Sequence, residues 1–398
     1  MTLHILIDQA FTWDFINDVN ALGINDQHFL VYGKGMAGKT FISPAENIFL
    51  YKYGSRKYNQ VISELGKKYQ KLYVHWLSYE ACEVISNAPS NIEISSVFWG
   101  NDFAAPVSFY YERVYEPETI NYYKTHASKQ KIKWFNNPRW AYAMNPMWVY
   151  KTLRQKLKGS KGQAELFEQK KKAIQRLTYF VHYNPYDLEW VKVQTPTDAE
   201  FKKFFYAAGY EDAENILKEK KSTDGTTRIL VGHSSSLTGN HLDTVKMIHD
   251  LSFSFPYEII CPLSYGDTNY RDRIIEQGKK LLSTHFNPVI DFLPREKYYQ
   301  LLSNADAAIF NVRRTEGMAN INMLIKLGKK IFLNKDCPAY YFLKDLGIKV
   351  FTLDELKSNP EIISVPLTAE EKLKNSKQLD TFFSKEKRLE YIRKLFAE

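Results

Sequence analysis

The sequence predicts an α/β protein made of two doubly wound parallel sheets. Three observations carry this. Short apolar runs of strand length alternate with segments of helical periodicity along most of the chain, the pattern of parallel strands covered by helices on both faces. At 398 residues the chain exceeds one ordinary core, so two domains are the natural division. A polar, charge-rich stretch from Tyr210 to Thr227 separates two such series and reads as a linker.

Composition narrows the class. Hydrophobic residues make up 44% and charged residues 25%, as in a folded globular chain. The net charge of +9 points to an anionic partner: a nucleotide, a phospholipid surface or nucleic acid. The 27 Tyr, 25 Phe and 7 Trp suit a core, a sugar site or a membrane-facing surface alike. Cys82, Cys261 and Cys337 are far apart and odd in number, which excludes a disulfide framework or zinc spacing and favours a reducing compartment. MTLHILID is apolar for too short a run to be a signal peptide. No window of about 18 apolar residues predicts a transmembrane helix. The expected location is cytoplasmic.

The first domain is expected over 1–212. Strands are expected at Leu3–Ile7, His28–Tyr32, Ile48–Tyr51, Leu72–His75, Ile94–Phe98 and Thr178–Tyr183. Helices fall at Phe11–Leu22, Gln60–Lys68, Tyr79–Ser86 and Ala199–Ala207. GKGMAGK, with Gly33, Gly35 and Gly38 before Lys39 and Thr40, lacks Walker spacing and reads as a loop. Between about 107 and 172 the alternation lapses into a basic-aromatic insertion, with Trp134, Trp140 and Trp148 among Lys133, Arg139 and Lys151. Such interleaving suits an anionic membrane surface. It would also suit single-stranded nucleic acid, without any accompanying RNA-binding signature, or helices whose aromatics pack inward. Lys170–Lys172 reads as a solvated helix face.

The second domain is expected over 226–380. Ile229–Val231, Tyr257–Cys261, Val289–Phe292, Ala307–Phe310 and Lys330–Leu333 read as strands. Helices run through Val245 and Ile248, through Ile274 and Ile275, over Arg295–Ser303 and over Glu316–Leu327. Within the closing segment 381–398, an amphipathic helix at Arg388–Phe396 is free to return to the first domain.

Candidate site residues cluster at strand ends, where open α/β sheets bind ligands. Gly232, His233, Ser234 and Ser235 offer small residues, hydroxyls and backbone N–H groups before a helix, a setting for phosphate. Ser264 and Tyr265 follow the next strand. Arg313, Arg314, Thr315, Glu316 and Gly317 enter the helix that carries Asn320, and arginine gives bidentate contacts to phosphate oxygens. In the first domain, Asp102 follows Trp99-Gly100-Asn101 past a strand end and suits either a general base or a helix cap. His75 at another strand end has the same two readings, catalytic and structural.

With these residues in view, the second half resembles the lipid-linked 4-acetamido-4,6-dideoxygalactose (fucosamine-type) glycosyltransferases of bacterial polysaccharide assembly. The likeness rests on ILVGHSSSLTGNH (229–241), IICPLSYGD (259–267), FLPREKYYQLLSNADAAIF (292–310) and RRTEGMANINMLIKLGKKIFLN (313–334), with VFWGND (97–102) in the first half. NPYD (184–187) matches only loosely. The resemblance implies the GT-B fold, two Rossmann-like domains facing across a cleft. It further implies a dTDP-sugar donor in the second domain and a lipid-linked saccharide acceptor met by the first. The enzyme would then sit at the inner face of the bacterial inner membrane, with no nucleic-acid partner. The insertion is longer than the family pattern requires, and Glu316 is followed eight positions later by Leu324 rather than by a second glutamate. Glu316 or Asn320 would then contact sugar or ribose.

The expected mechanism is metal-independent and cofactor-free, the nucleotide-sugar being a substrate, because no Asp-x-Asp element sits at a fitting strand end. Arg313, Arg314 and the Gly232–Ser236 turn would stabilise the leaving diphosphate. Asp102, or else His75, would take the acceptor proton. Rival readings are a GT-B transferase using UDP- or GDP-sugars on another glycan or protein, and a non-catalytic nucleotide-binding scaffold.

Overall fold

The computed structural model describes residues 1–33, 40–100, 111–133, 159–206, 210 and 224–396. Most of the expected linker, the core of the basic-aromatic insertion and the GKGMAGK loop lie outside them. The chain forms two compact units. One comprises Met1–Ser108, Asn137–Ala207 and Phe383–Glu398, the other Phe109–Asn136 and Ala208–Phe382.

In chain order the first elements are β1 (Thr2–Leu6), α1 (Ala10–Ala21), β2 (Gln27–Val31), β3 (Ile48–Leu50), α2 (Arg56–Ile62), β4 (Lys71–His75), α3 (Tyr79–Asn87) and β5 (Glu93–Val97). Then come α4 (Tyr111–Val114), α5 (Pro117–Lys133), α6 (Gly159–Gln175), β6 (Tyr179–His182), α7 (Tyr186–Gln194) and β7 (Glu200–Lys203). The remainder holds β8 (Thr227–Val231), α8 (His241–Leu251), β9 (Tyr257–Pro262), α9 (Thr268–Leu282), β10 (Phe286–Val289), α10 (Arg295–Asn304) and β11 (Ala307–Phe310). It continues with α11 (Met318–Lys326), β12 (Lys330–Leu333), α12 (Pro338–Asp345), β13 (Phe351–Thr352), α13 (Leu353–Ser358), α14 (Ala369–Phe383) and α15 (Lys385–Phe396).

The first unit's seven strands are ordered β3-β2-β1-β4-β5-β6-β7, all parallel. Phe15, Ile16 and Val19 on one face of α1 meet Leu6, Phe29, Tyr73, Val97, Val181 and Phe204 of the sheet, and Ile392 and Leu395 of α15 complete this core. A helix was expected over Ala199–Ala207, but Glu200–Lys203 is an edge strand in register with β6. Sheet pairing overrides local propensity in so short a segment. Lys170, expected on a solvated face, is 4% exposed, its ammonium lying over the Tyr79 ring.

A polar chain crosses this apolar core. The Gln27 amide nitrogen donates to the Asn25 carbonyl, so its oxygen accepts from His4 Nε2 at 2.9 Å. His4 Nδ1 must then accept from His75 Nε2, also at 2.9 Å, and His75 Nδ1 accepts from the Tyr206 hydroxyl. Each imidazole is neutral and its tautomer is fixed by its neighbour. Burial drives His4 down to about 4 and His75 well below 6.5, the second helped by His4 itself.

The second unit's order is β10-β9-β8-β11-β12-β13, again parallel. Its core gathers Ile229, Val231, Val245, Ile259, Ile274, Ile309 and Phe332, together with Tyr122 from α5. Residues 109–136, read from sequence as part of the first domain's insertion, group with this unit. The reason is local. Asp243 of α8 accepts from the Glu118 and Thr119 backbone N–H groups at 2.7 and 3.0 Å and from the Thr119 hydroxyl at 2.7 Å, capping α5 from outside its own sequence. β10 lies earlier than the expected Val289–Phe292, because buried Phe286, not Phe292, anchors it; Phe292 is 83% exposed. Among the described residues no helix is long and apolar enough to cross a membrane.

Two outcomes follow. A histidine whose folded pKa is depressed contributes stability that is full above its unfolded value of 6.5 and is lost as pH falls toward about 4. Substituting His4→Gln, which keeps hydrogen bonding without titrating, should therefore flatten the decline in melting temperature between those values. Asp243→Ala should lower the second unit's stability in urea unfolding by about 1–3 kcal/mol, through a lost cap and unsatisfied N–H groups.

Candidate functional site

Strand order in the second unit reverses between β8 and β11, so the loops after those two strands flank the crevice where a doubly wound sheet binds ligands. The loop after β8 is tied to the one after β9. The Ser235 N–H and hydroxyl both donate to the Tyr265 carbonyl, at 2.8 and 2.9 Å, and the Asp267 N–H donates to the Ser235 carbonyl at 3.2 Å. Gly266, at φ +118°, is obligatory there, since a Cβ would stand 2.7 Å from the Ser235 carbonyl carbon.

The loop after β11 brings a buried charge to the same place. Arg314 NH2 lies 2.8 Å from Glu316 Oε2, and the Thr238 hydroxyl donates to that same oxygen at 2.6 Å. His233 Nε2 stands 3.7 Å from Glu316 Oε1. Gly317 is the N-cap of α11 at φ +70°, and a Cβ would meet His233 Nδ1 at 2.9 Å. Burial pushes the Glu316 carboxyl up, but Arg314, His233, Thr238 and His241 together hold it below its ordinary 4.5. Burial depresses His233, with Arg314 adding to the effect and Glu316 opposing it. The cluster is thus a buried ion pair beside a neutral imidazole.

Of the residues expected to act together, the structure gathers Gly232, His233, Ser234, Ser235, Tyr265, Arg314, Glu316 and Gly317 around this crevice, with Thr315 buried between Arg314 and Glu316. Ser264 is half-buried at the end of β9. Asn320 accepts from the Tyr298 hydroxyl at 2.9 Å on α11. Arg313 diverges from Arg314: it pairs with Asp336 at 2.6 Å and lies 3.6 Å from Glu116, lining a separate cavity of about 580 Å3 with Asp243, Lys246 and Asn334. His75 is in the first unit's core with both ring nitrogens engaged. Asp102 lies outside the described residues.

Three residues of the site were not singled out from sequence. Thr238 binds Glu316. Asn240, in left-handed conformation, accepts from the Glu116 N–H at 2.9 Å and donates toward the Val114 and Asn311 carbonyls at 3.0 and 2.8 Å. It thereby pins the α4–α5 junction to both loops. His241 packs against Gly232 and Gly239, its ring nitrogens without hydrogen bonds among the described residues. Their signal was position: all three follow the small-residue turn after β8.

The family model described as "4-alpha-L-fucosyltransferase glycosyl transferase group 56" matches residues 157–396. Among solved structures, sucrose-phosphate synthase from Thermosynechococcus elongatus superposes with a TM-score of 0.57 at 9% identity, over 100% of this chain and 98% of that one. WaaG, a glycosyltransferase of lipopolysaccharide biosynthesis, gives 0.53 at 10% identity, over 100% and 99%. Anabaena HepE in complex with UDP gives 0.57 at 10%, over 100% and 98%. At such identities the likeness is one of fold, that of the GT-B glycosyltransferases.

Glu316 has a testable signature. A carboxyl held below its unfolded value contributes stability present above about pH 4.5 and lost as pH falls through the folded value. Glu316→Gln should melt below wild type at pH 7, with the gap closing beneath pH 4.5 in a series of melting curves.

Proposed function

The chain belongs to glycosyl transferase group 56, the 4-α-L-fucosyltransferase family, and from that premise we propose that it moves a 4-acetamido-4,6-dideoxyhexose from a dTDP-sugar to a lipid-linked saccharide. One observation carries the reading. Arg314 is 8% exposed at the strand-order reversal, and its Nε has no hydrogen-bond partner among the described residues. A buried guanidinium fixed by Glu316, with an N–H still unsatisfied, is prepared for an anionic group. The Thr238 hydroxyl lies 3.5 Å from Arg314 NH2, and the loop that carries Arg314 leads into the N-terminus of α11, a setting that suits a diphosphate.

The chemistry follows from charge. The acceptor hydroxyl attacks the anomeric carbon, the bond from that carbon to the diphosphate breaks, and negative charge grows on the departing oxygen. Arg314, already oriented, stabilises that charge without reorganising. The acceptor proton passes to a base, for which Asp102 is the proposed group. The basic-aromatic residues between 134 and 158 are proposed to hold the enzyme at an anionic membrane surface, within reach of a lipid-linked acceptor.

The test is a thermal-shift series with dTDP, UDP, GDP and CDP. A rise of several degrees, on the order expected from binding linkage at saturating ligand, is expected with dTDP. It should vanish in Arg314→Met and persist in Arg313→Met, because Arg313 is committed to Asp336. A preference for UDP would replace the base and keep the reaction. Silence from all four would overturn the diphosphate site.

A further inference from the structure

We propose that the carboxyl edge of the first unit's sheet carries a saccharide-binding platform formed by Trp76, Trp99 and Tyr206, and that the buried His4–His75 chain is the device that holds it. The proposal rests on the glycosyl-transfer reading and supplies its acceptor half.

Place comes first. Strand order in this unit reverses between β1 and β4, the position at which such sheets bind ligands. Trp76 follows β4, Trp99 follows β5 and Tyr206 follows β7, while Phe11 stands in the first turn of α1 after β1. These four rings are half-buried, whereas Phe15, Phe29 and Phe204 beneath them are closed off. The Trp76 and Trp99 indoles are parallel within 14°, centroids 6.1 Å apart. Phe11 stands edge-on to Trp99 at 4.8 Å and to Tyr206 at 5.0 Å, a wedge that fixes both.

Two features cost stability and call for a use. Trp76 has φ +91°, a strained conformation for a bulky residue and one that concentrates at functional sites. Its N–H donates to the Val97 carbonyl at 3.3 Å, and its carbonyl accepts from the Ser78 N–H at 2.8 Å. The other feature is the polar chain. Two imidazoles and an amide have been taken out of water where apolar side chains would fill the core at lower cost. Every donor in the chain points one way, so the Tyr206 hydroxyl gives its proton to His75. Its oxygen is left to accept from Trp99 Nε1 at 3.3 Å. The buried chain thus anchors the Tyr206 hydroxyl and, through it, the Trp99 indole N–H, on two half-buried rings.

The chemistry of the rings selects the ligand. A pyranose offers an apolar C–H face and a rim of hydroxyls, and aromatic faces with polar edges complement both. None of the four side chains is charged, which favours a neutral sugar ring over a phosphate.

Saturation-transfer NMR on the full chain tests this with methyl β-D-glucopyranoside, methyl β-D-galactopyranoside and methyl N-acetyl-β-D-glucosaminide, cyclohexanol serving as an apolar control. Transfer to one face of at least one glycoside is expected, with binding about 2- to 10-fold weaker in Trp76→Ala and Trp99→Ala. His75→Leu, which leaves all the rings in place, should weaken binding similarly, and His75→Gln should restore it. If His75→Leu fails to fold, Tyr206→Phe removes only the hydroxyl and should give the same loss. Equal binding by the tryptophan variants, an equal response to cyclohexanol, or no response to any glycoside would overturn the platform. In the last case a surviving nucleotide-induced thermal shift leaves the glycosyl-transfer reading standing, and its absence removes both.

Discussion

The second unit's crevice depends on the buried pairing of Arg314 with Glu316. Either charge alone would be expensive at that depth; together, with the Thr238 hydroxyl and His233 in attendance, they form a set in which each member needs the rest. Both charges lie on the loop after β11, and Thr238 and His233 join them to the loop after β8. The Ser235–Tyr265 hydrogen bonds join that loop in turn to the one after β9. Three connections that a sheet would otherwise leave independent become one rigid rim. Gly266 and Gly317 are required because the chains approach more closely than a Cβ permits.

The same rim recruits a distant stretch of chain. Asn240 spends its side-chain amide on the α4–α5 junction, and Asp243 supplies the cap that α5 lacks. Both come from the start of α8, so a single helix N-terminus fastens the arm at two points. Tyr122 follows by inserting its ring into the apolar core. Polar contacts set the arm's register and hydrophobic burial supplies most of its adhesion.

Much of this was legible in the sequence. Apolar runs and glycine-marked turns located both sheets, and β11 and β12 fell on the expected residues. The small-residue turn after β8 and the Thr315-Glu316-Gly317 turn were visible as candidate site elements, because their chemistry is local. What was hidden depends on partners far away in sequence. Glu200–Lys203 is a strand only because β6 lies beside it. Adjacent arginines look equivalent in a string of letters, yet Asp336 claims one and Glu316 the other. Likewise nothing near His75 announces that His4 and Tyr206 enclose it. Asp102 and the centre of the basic-aromatic insertion lie outside the described residues, and their roles remain proposals.

The chain threads between its units more than once, and α15 ends in the core where β1 began. Ile392 and Leu395 pack with Leu6, Phe29 and Val31, and Arg388 pairs with Asp18 at 2.8 Å while donating to the Tyr206 carbonyl. Synthesis on the ribosome is vectorial, and domains ordinarily fold as they emerge. Here the earliest sheet, though α1 covers part of one face, must wait with the part that α15 covers exposed until the whole of the other unit has been translated. During that interval the nascent chain exposes strands and aromatic rings that attract other chains. The connectivity therefore delays closure of that patch to the last step of synthesis, independently of how stable the finished protein becomes.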